Sequence, residues 1–244
     1  MTASQHSRDL WLRKPSLRAV YADLYQRIAA RCVPGSVLEI GAGSGNFKAW
    51  APAVVATDIV AAPWLDTVAD AASLPFAAAS FDNVVAFDAL HHIEYPVLFL
   101  EEAARVLRPG GRLIVVDPAI TPVSALVYRA FHPEPYDLAA SPLARGLPTP
   151  NRPVDAANQA FATLLFHRQS AELAHAVPAL RLTETRLLSL FAYPLSGGFR
   201  RWTLLPAAAV PVLLRCEEVL APLLAPLMAF RLLAVLVRGG DGPG

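Results

Sequence analysis

The chain has 244 residues, enough to bury a large core, and its formal net charge of +1 leaves no basic field with which to capture nucleic acid. Apolar residues make up 55% and charged residues 17%, against about 45–50% and about 25% in ordinary soluble domains, with the excess concentrated in the C-terminal third. Cys32 and Cys216 are far apart and outside any Cys-x-x-Cys or Cys/His cluster, which argues against a disulfide or a metal site and for a reducing compartment.

The start is polar through Lys14 and lacks the apolar stretch of a signal peptide. Residues 8 to 30 then read as one helix, with Leu10, Leu17, Tyr21, Leu24, Tyr25 and Ile28 on one face and Pro34-Gly35 as its stop. Val37-Leu38-Glu39-Ile40 is a short apolar strand running into Gly41-Ala42-Gly43-Ser44-Gly45-Asn46. Glycine serves where a backbone must turn sharply or let a ligand approach closely. A strand, such a turn and a helix make the first unit of a nucleotide-type fold, with its ligand at the strand's carboxyl end.

A second strand over 54–59 ends near Asp58, an acid that can accept hydrogen bonds from both hydroxyls of a ribose. The block 68–76 places Asp70 ahead of a Leu-Pro-Phe turn. A strand from Ser80 then leads through Asp88-Ala89-Leu90 to His91-His92-Ile93. A helix over 95–107 ends in Leu107-Arg108-Pro109-Gly110-Gly111, ahead of a fifth strand reaching Asp117. Alternating strands and helices imply a parallel sheet with helices on both faces.

Past Pro118 the pattern changes. A short helical piece (124–131) meets His132-Pro133-Glu134-Pro135-Tyr136-Asp137 and a proline-rich loop to Pro153, long enough to be a lid or a binding loop. A long helix is expected from a cap at Asp155 to about Ala176, with a sixth strand over Leu180–Leu190. Residues 194–230 carry Gly197-Gly198 and two apolar helices broken by Pro206, Pro211, Pro222 and Pro226. Their uncharged runs fall short of the roughly 20 residues that a membrane span needs. They read either as helices packed on the sheet or a second subunit, or as a hairpin lying in a membrane interface.

The five ordered blocks between residues 35 and 118 resemble the class I S-adenosylmethionine-dependent methyltransferases, in the broad type 11 group that includes quinone-ring methyltransferases. A dinucleotide oxidoreductase is the rival, but its fingerprint spaces glycines as G-x-G-x-x-G, whereas here they alternate at Gly41, Gly43 and Gly45. The resemblance implies one Rossmann-like α/β domain over 1–244. It has a seven-stranded, mostly parallel sheet with a final antiparallel strand over Arg231–Arg238; the 194–230 insertion between the last two strands departs from the family, which often has only a turn there. Residues 1–34 would form a helical cap, 35–118 the cofactor core and 119–153 a substrate loop or lid.

The resemblance also implies S-adenosyl-L-methionine as cofactor. It would lie against Glu39, Gly41, Ala42, Gly43, Gly45, Asn46, Asp58, Ile59, Asp70, Ala71, Asp88, Leu90 and His91. Glu39 would support the glycine loop and the cofactor's amino group, Asp58 the ribose, Asp70 and Ala71 the adenine, and Asp88 to His91 the sulfonium end. Methyl transfer needs a base only where the acceptor must lose a proton, and His92 or His132 is the expected base, with Glu134 as a rival. Small-molecule, glycan or lipid-like acceptors fit, without metal or nucleic acid. The expected location is cytoplasmic, with peripheral contact at the inner membrane face or a homodimer as the partners the insertion allows. A non-catalytic S-adenosylmethionine-binding regulatory or assembly protein is the alternative reading.

Overall fold

Strand-forming segments at 37–40 (β1), 55–58 (β2), 67–68 (β3), 81–87 (β4), 107–118 (β5), 180–188 (β6) and 231–238 (β7) join in one sheet, ordered β3-β2-β1-β4-β5-β7-β6. The computed structural model describes residues 3–150, 152–153 and 156–240. All neighbours pair in parallel except β7, which runs antiparallel to both β5 and β6. Side chains alternate across a strand, so two cores form. Leu38, Ile40, Val84, Ala86, Leu113 and Val115 face one, and Val85, Phe87, Ile114 and Val116 face the other. With both faces covered, the central strands are nearly uninterrupted apolar runs.

Helices α1 (Ala3–Arg13) and α2 (Pro15–Ala29) replace the single helix expected over 8–30. Pro15 is the cause: it drives the preceding residue out of helical geometry, and Lys14 stands at φ −114°, ψ 88°, while Pro15 opens α2 as its first residue. Leu17, Val20, Tyr21, Leu24, Tyr25 and Ile28 of α2 are buried in the second core, each contributing about 1.5–3 kcal/mol through removal from water. Lys14 itself is turned inward, its Nζ donating to the carbonyls of Ser196 (2.8 Å), Gly198 (2.6 Å), Arg200 (2.8 Å) and Trp202 (2.9 Å).

Short α3 (Asn46–Trp50) follows the glycine loop, α4 (Pro96–Val106) precedes β5, and α5 (Pro122–Phe131) follows it. The long helix expected to Ala176 is broken instead into α6 (Phe161–Thr163), a π turn over Leu164–Arg168, and α7 (Ser170–Ala176). Gln169, at φ −119° and ψ 32°, separates the pieces, and the expected cap Asp155 lies outside the described residues. The insertion holds a short α8 (Ala192–Ser196) and one helix, α9 (Val210–Met228), rather than two helices broken by proline. Pro222 and Pro226 sit inside α9. An internal proline costs about 3 kcal/mol, but both stand on the exposed side, where water can take the freed carbonyls, and tertiary packing of the inner side holds the helix. Cys32 is half-buried and Cys216 exposed, so the second is no core residue. Among the described residues no helix is long and apolar enough to cross a membrane.

Candidate functional site

The carboxyl ends of β1, β2, β4 and β5 share one edge of the sheet, and the strand order reverses between β1 and β4, the place where open α/β sheets bind ligands. Arg231, the first residue of β7, pairs with Pro118 and joins that edge from the antiparallel side.

The loop after β1 takes positive φ at Gly41 (68°), Gly43 (49°) and Gly45 (69°). A Cβ on Gly41 would stand 2.5 Å from the Ala89 Cβ, and one on Gly45 would stand 2.4 Å from the Trp64 ring. Gly43 is open by contrast, with only the Gly41 carbonyl, at 3.9 Å, within reach of a Cβ. The loop is held by Asp58: one carboxylate oxygen accepts the Gly43 N–H (2.8 Å), the other the Val60 N–H (2.9 Å). Each oxygen keeps a lone pair for a further donor. Trp64 donates to the Gly43 carbonyl (2.9 Å), and Arg8 of α1 lies 4.6 Å over the Trp64 ring while donating to the Ser44 carbonyl (2.7 Å).

Glu39 is buried in β1 beneath this loop, and its Oε2 has no hydrogen-bond partner. Burial, aided by the charge of Asp58, pushes its carboxyl up to about 8. An orphaned buried carboxylate oxygen is expensive unless something cationic or hydrogen-bonding meets it. An open glycine loop, a strand-end acid with spare lone pairs and this orphaned oxygen are the features that a nucleoside carrying an amino acid would fill. Asn46 is buried, its amide donating to the Ser44 hydroxyl, and Ala42 is pinned by its N–H to the Thr57 carbonyl. Ile59 is exposed beyond Asp58. Asp70 and Ala71 lie on a turn closed by the Asp70 side chain on the Ala72 N–H.

Asp88 stands at positive φ (53°) after β4. Its side chain pairs with Arg231 (2.5 Å) and accepts from the Tyr21 hydroxyl (3.0 Å). Burial raises the Asp88 carboxyl against the opposing pull of Arg231. Arg231 lies 4.2 Å over the Tyr193 ring. Tyr21 is therefore core and site at once.

The 3₁₀ turn Leu90–His92 aims two imidazoles at the segment after α5, while Leu90 packs into the core. His91 is buried, with Nδ1 2.9 Å from Asp117 Oδ1 at the end of β5 and Nε2 3.5 Å from Glu134 Oε2. Burial alone would lower His91, but Asp117, by charge and hydrogen bond, and Glu134 and Asp88 override it and push it up to about 10. Glu134, which burial would raise, is held down to about 2 by its bond to His91 and by the charges of His91, His92 and His132. The Gln159 amide donates to Glu134 as well.

His92 and His132 behave oppositely to His91. Burial and the charge of His91 lower His92, whose Nε2 lies 4.0 Å from Glu134 Oε1 and whose Nδ1 is buried without a partner. His132 is lowered chiefly by burial; its ring meets Tyr128 edge-on at 5.5 Å and its Nδ1 accepts the Glu134 N–H (3.2 Å). Ligand atoms of His91, His92 and Glu134 lie within 4.8 Å of one another, a spacing a cation could bridge.

The structure thus brings together His91, His92, His132 and Glu134, which lie in two sequence blocks. Asp117, Arg231, Trp64 and Arg8 went unmarked in sequence. Asp117 had a signal, an acid at the tip of an apolar strand, and Arg231 another, a charge opening one. The loop to Pro153 is tied across this edge: Arg145 bonds Glu101 (2.5 Å), the Thr149 N–H bonds Glu94 (3.0 Å), and Arg152 donates to the His92 carbonyl (2.8 Å).

Residues 38–115 match the family described as a methyltransferase domain. A protein of Mycobacterium tuberculosis (strain ATCC 25618 / H37Rv), named a probable S-adenosylmethionine-dependent methyltransferase, is 36% identical over 110 residues, 39% of this chain and 40% of its own length. The 27-O-demethylrifamycin SV methyltransferase of Amycolatopsis mediterranei is 49% identical over 57 residues, 23% of this chain and 21% of its own. The matched region spans 40% or less of these relatives. A crystal structure of a methyltransferase-type protein from Bacillus halodurans C-125 shares the fold, with 17% identity and a TM-score of 0.50 over 89% of this chain and 98% of that one. Family match and sheet order agree: residues 38–115 match a methyltransferase domain, and the fold is the Rossmann-like one of the class I S-adenosylmethionine-dependent methyltransferases.

Proposed function

We propose that the protein transfers a methyl group from S-adenosylmethionine to a hydroxyl of a small, largely apolar acceptor. The cofactor supplies a methyl group already activated on a sulfonium, so the protein's task is chiefly alignment. Glu39 would receive the cofactor's ammonium, Asp58 the ribose hydroxyls, and the open face of Gly43 the close approach of the chain. Asp70 and Ala71 would flank the adenine, and the backbone from Asp88 to His91 the sulfonium end. The observation that carries this reading is the orphaned Glu39 oxygen beneath an open glycine loop that Asp58 holds in place.

A hydroxyl acceptor must lose a proton, and a useful base has a value near the working pH. His91 holds its proton too tightly between Asp117 and Glu134, so it acts as a fixed cation that positions Glu134. His92, lowered and with its Nε2 towards Glu134, is the base, and His132 stands beside it as its alternative. The 132–153 segment, tied down by polar contacts along its length, acts as the lid. The relative named for a demethylated oxygen on rifamycin supports an oxygen acceptor on a hydrophobic small molecule.

The test has two stages. Calorimetry with S-adenosylmethionine reads the cradle. Formation of S-adenosylhomocysteine with a panel of hydroxylated apolar compounds, followed by mass analysis of the acceptor, reads the transfer. Binding without any methylated product would leave a cofactor-binding protein, and no binding would remove both.

A further inference from the structure

Along α9, Val212, Cys216, Val219, Leu223 and Leu227 recur every three or four residues on one side, and all are exposed, Val219 and Leu223 to 80% and 79%. The opposite side is buried: Glu217 caps α8 through the Phe191 and Ala192 N–H groups, and Ala225 packs with Leu190 and Ala229. The bare stripe is not confined to α9. Helix α5 packs against α9 and adds exposed Leu126 and Phe131, and the loop into α9 adds exposed Trp202 and Leu204. Arg200 donates to the Phe131 carbonyl and binds that loop to the end of α5.

The unpaired charge around this face has one sign: of the two acids on α9, Glu217 is buried as the cap of α8 and Glu218 is paired with Arg27 (2.9 Å). Segments 119–131 and 192–216 contain Arg129, Arg200, Arg201 and Arg215 and no Asp or Glu. All four arginines are exposed, and among the described residues none is ion-paired. With a net charge of +1 overall, the positive excess is local. A two-fold dimer through this face would set the same patch against itself, opposing four arginines to four, and like charges across an interface are costly. A helix with apolar residues on one side, basic residues at its rim and an exposed tryptophan suits the boundary of an anionic bilayer.

We propose that this face, α9 with α5 and the 199–204 loop, seats the protein on an anionic lipid surface, the helices lying in the plane of the interface. His132 follows Phe131 directly, so the seat borders the histidine cluster. The acceptor class this adds, an amphiphile partitioned in the bilayer, rests on the methyl-transfer reading, whereas the seat itself does not.

Flotation of the full chain with phosphatidylcholine vesicles, and with vesicles containing phosphatidylglycerol, tests the seat. Binding to the anionic vesicles is expected, weakened by salt. Val219→Glu with Leu223→Glu should lower partitioning roughly tenfold or more, and Arg201→Glu with Arg215→Glu should lower it roughly fivefold per arginine. Calorimetric binding of S-adenosylhomocysteine, unchanged in each variant, reports an intact fold and separates failure of the seat from failure of the cofactor reading. Wild-type protein that floats with neither vesicle, flotation insensitive to both variant pairs, or sedimentation showing a dimer that Val219→Glu dissociates would each overturn the proposal.

Discussion

The half of the sheet from β1 to β5 and the half of the chain beyond Pro118 obey different rules. In the first, β1, β2, β4 and β5 end at the shared edge in residues marked by short sequence signals: three glycines, Asp58, Asp88, Asp117. The glycine loop is held from close by in sequence, as Asp58 holds Gly43 across 15 positions and Val60 across two. In the second, function depends on contacts across the chain. His91 meets Glu134, Arg231 meets Asp88, and Lys14 meets the 196–202 loop. A cofactor cradle can be specified by a short ordered motif, whereas an acceptor pocket is assembled from distant pieces and is free to vary.

Variants at four places test that contrast. The largest effect is expected at His92. If the histidine cluster that faces the distal segments carries only acceptor chemistry, His92→Ala should lower kcat by about 10²–10⁴, the usual worth of a positioned base, with affinity for S-adenosylhomocysteine unchanged. A fall in cofactor affinity instead would place His92 in the cradle. Next comes Arg231, where the halves are bonded together. Arg231→Met strands Asp88 and should cost about 3 kcal/mol in urea unfolding, the lower end of the range for a broken buried pair because Asp88 keeps some exposure. Adding Asp88→Asn should restore part of it, and a double variant no better than the single would show that the pair is not the cause.

Asp58→Ala should weaken S-adenosylmethionine at least tenfold, since charge-assisted hydrogen bonds are worth about 1.5–3 kcal/mol each. Unchanged affinity would sink the ribose assignment. The last effect is a slope and not a step, a pH dependence of stability from Glu39. Its folded value, about 8, lies above that of an unfolded glutamate, so the folded chain holds a proton that the unfolded chain releases. The stability this adds is complete below the ordinary glutamate range and is lost as pH rises towards about 8, at up to about 1.4 kcal/mol per pH unit. Glu39→Gln should flatten the urea midpoint over that window, and parallel curves for the two proteins would mean that Glu39 is ionised throughout.

The α/β class and the parallel core were legible because apolar strands and turn residues are local signals, whereas the antiparallel β7 was expected only from the family resemblance. The sequence misjudged helices wherever proline met tertiary packing. Lys14-Pro15 split one expected helix, while Pro222 and Pro226 failed to split α9, whose inner side is held by Glu217, Ala225 and Leu224. In the site, His91, His92, His132 and Glu134 were visible singly. What distinguishes them was not visible, because the proton on His91 depends on Asp117, 26 positions away, and on a loop that folds back across the edge.

The central claim is that the glycine loop, Glu39 and Asp58 form a cofactor cradle. Hydrogen–deuterium exchange with and without saturating S-adenosylhomocysteine tests it most directly. Slowed exchange is expected over residues 41–46 and 58–60, with α9 unchanged. Unaltered exchange in both segments while calorimetry reports binding, or protection centred elsewhere, would contradict it.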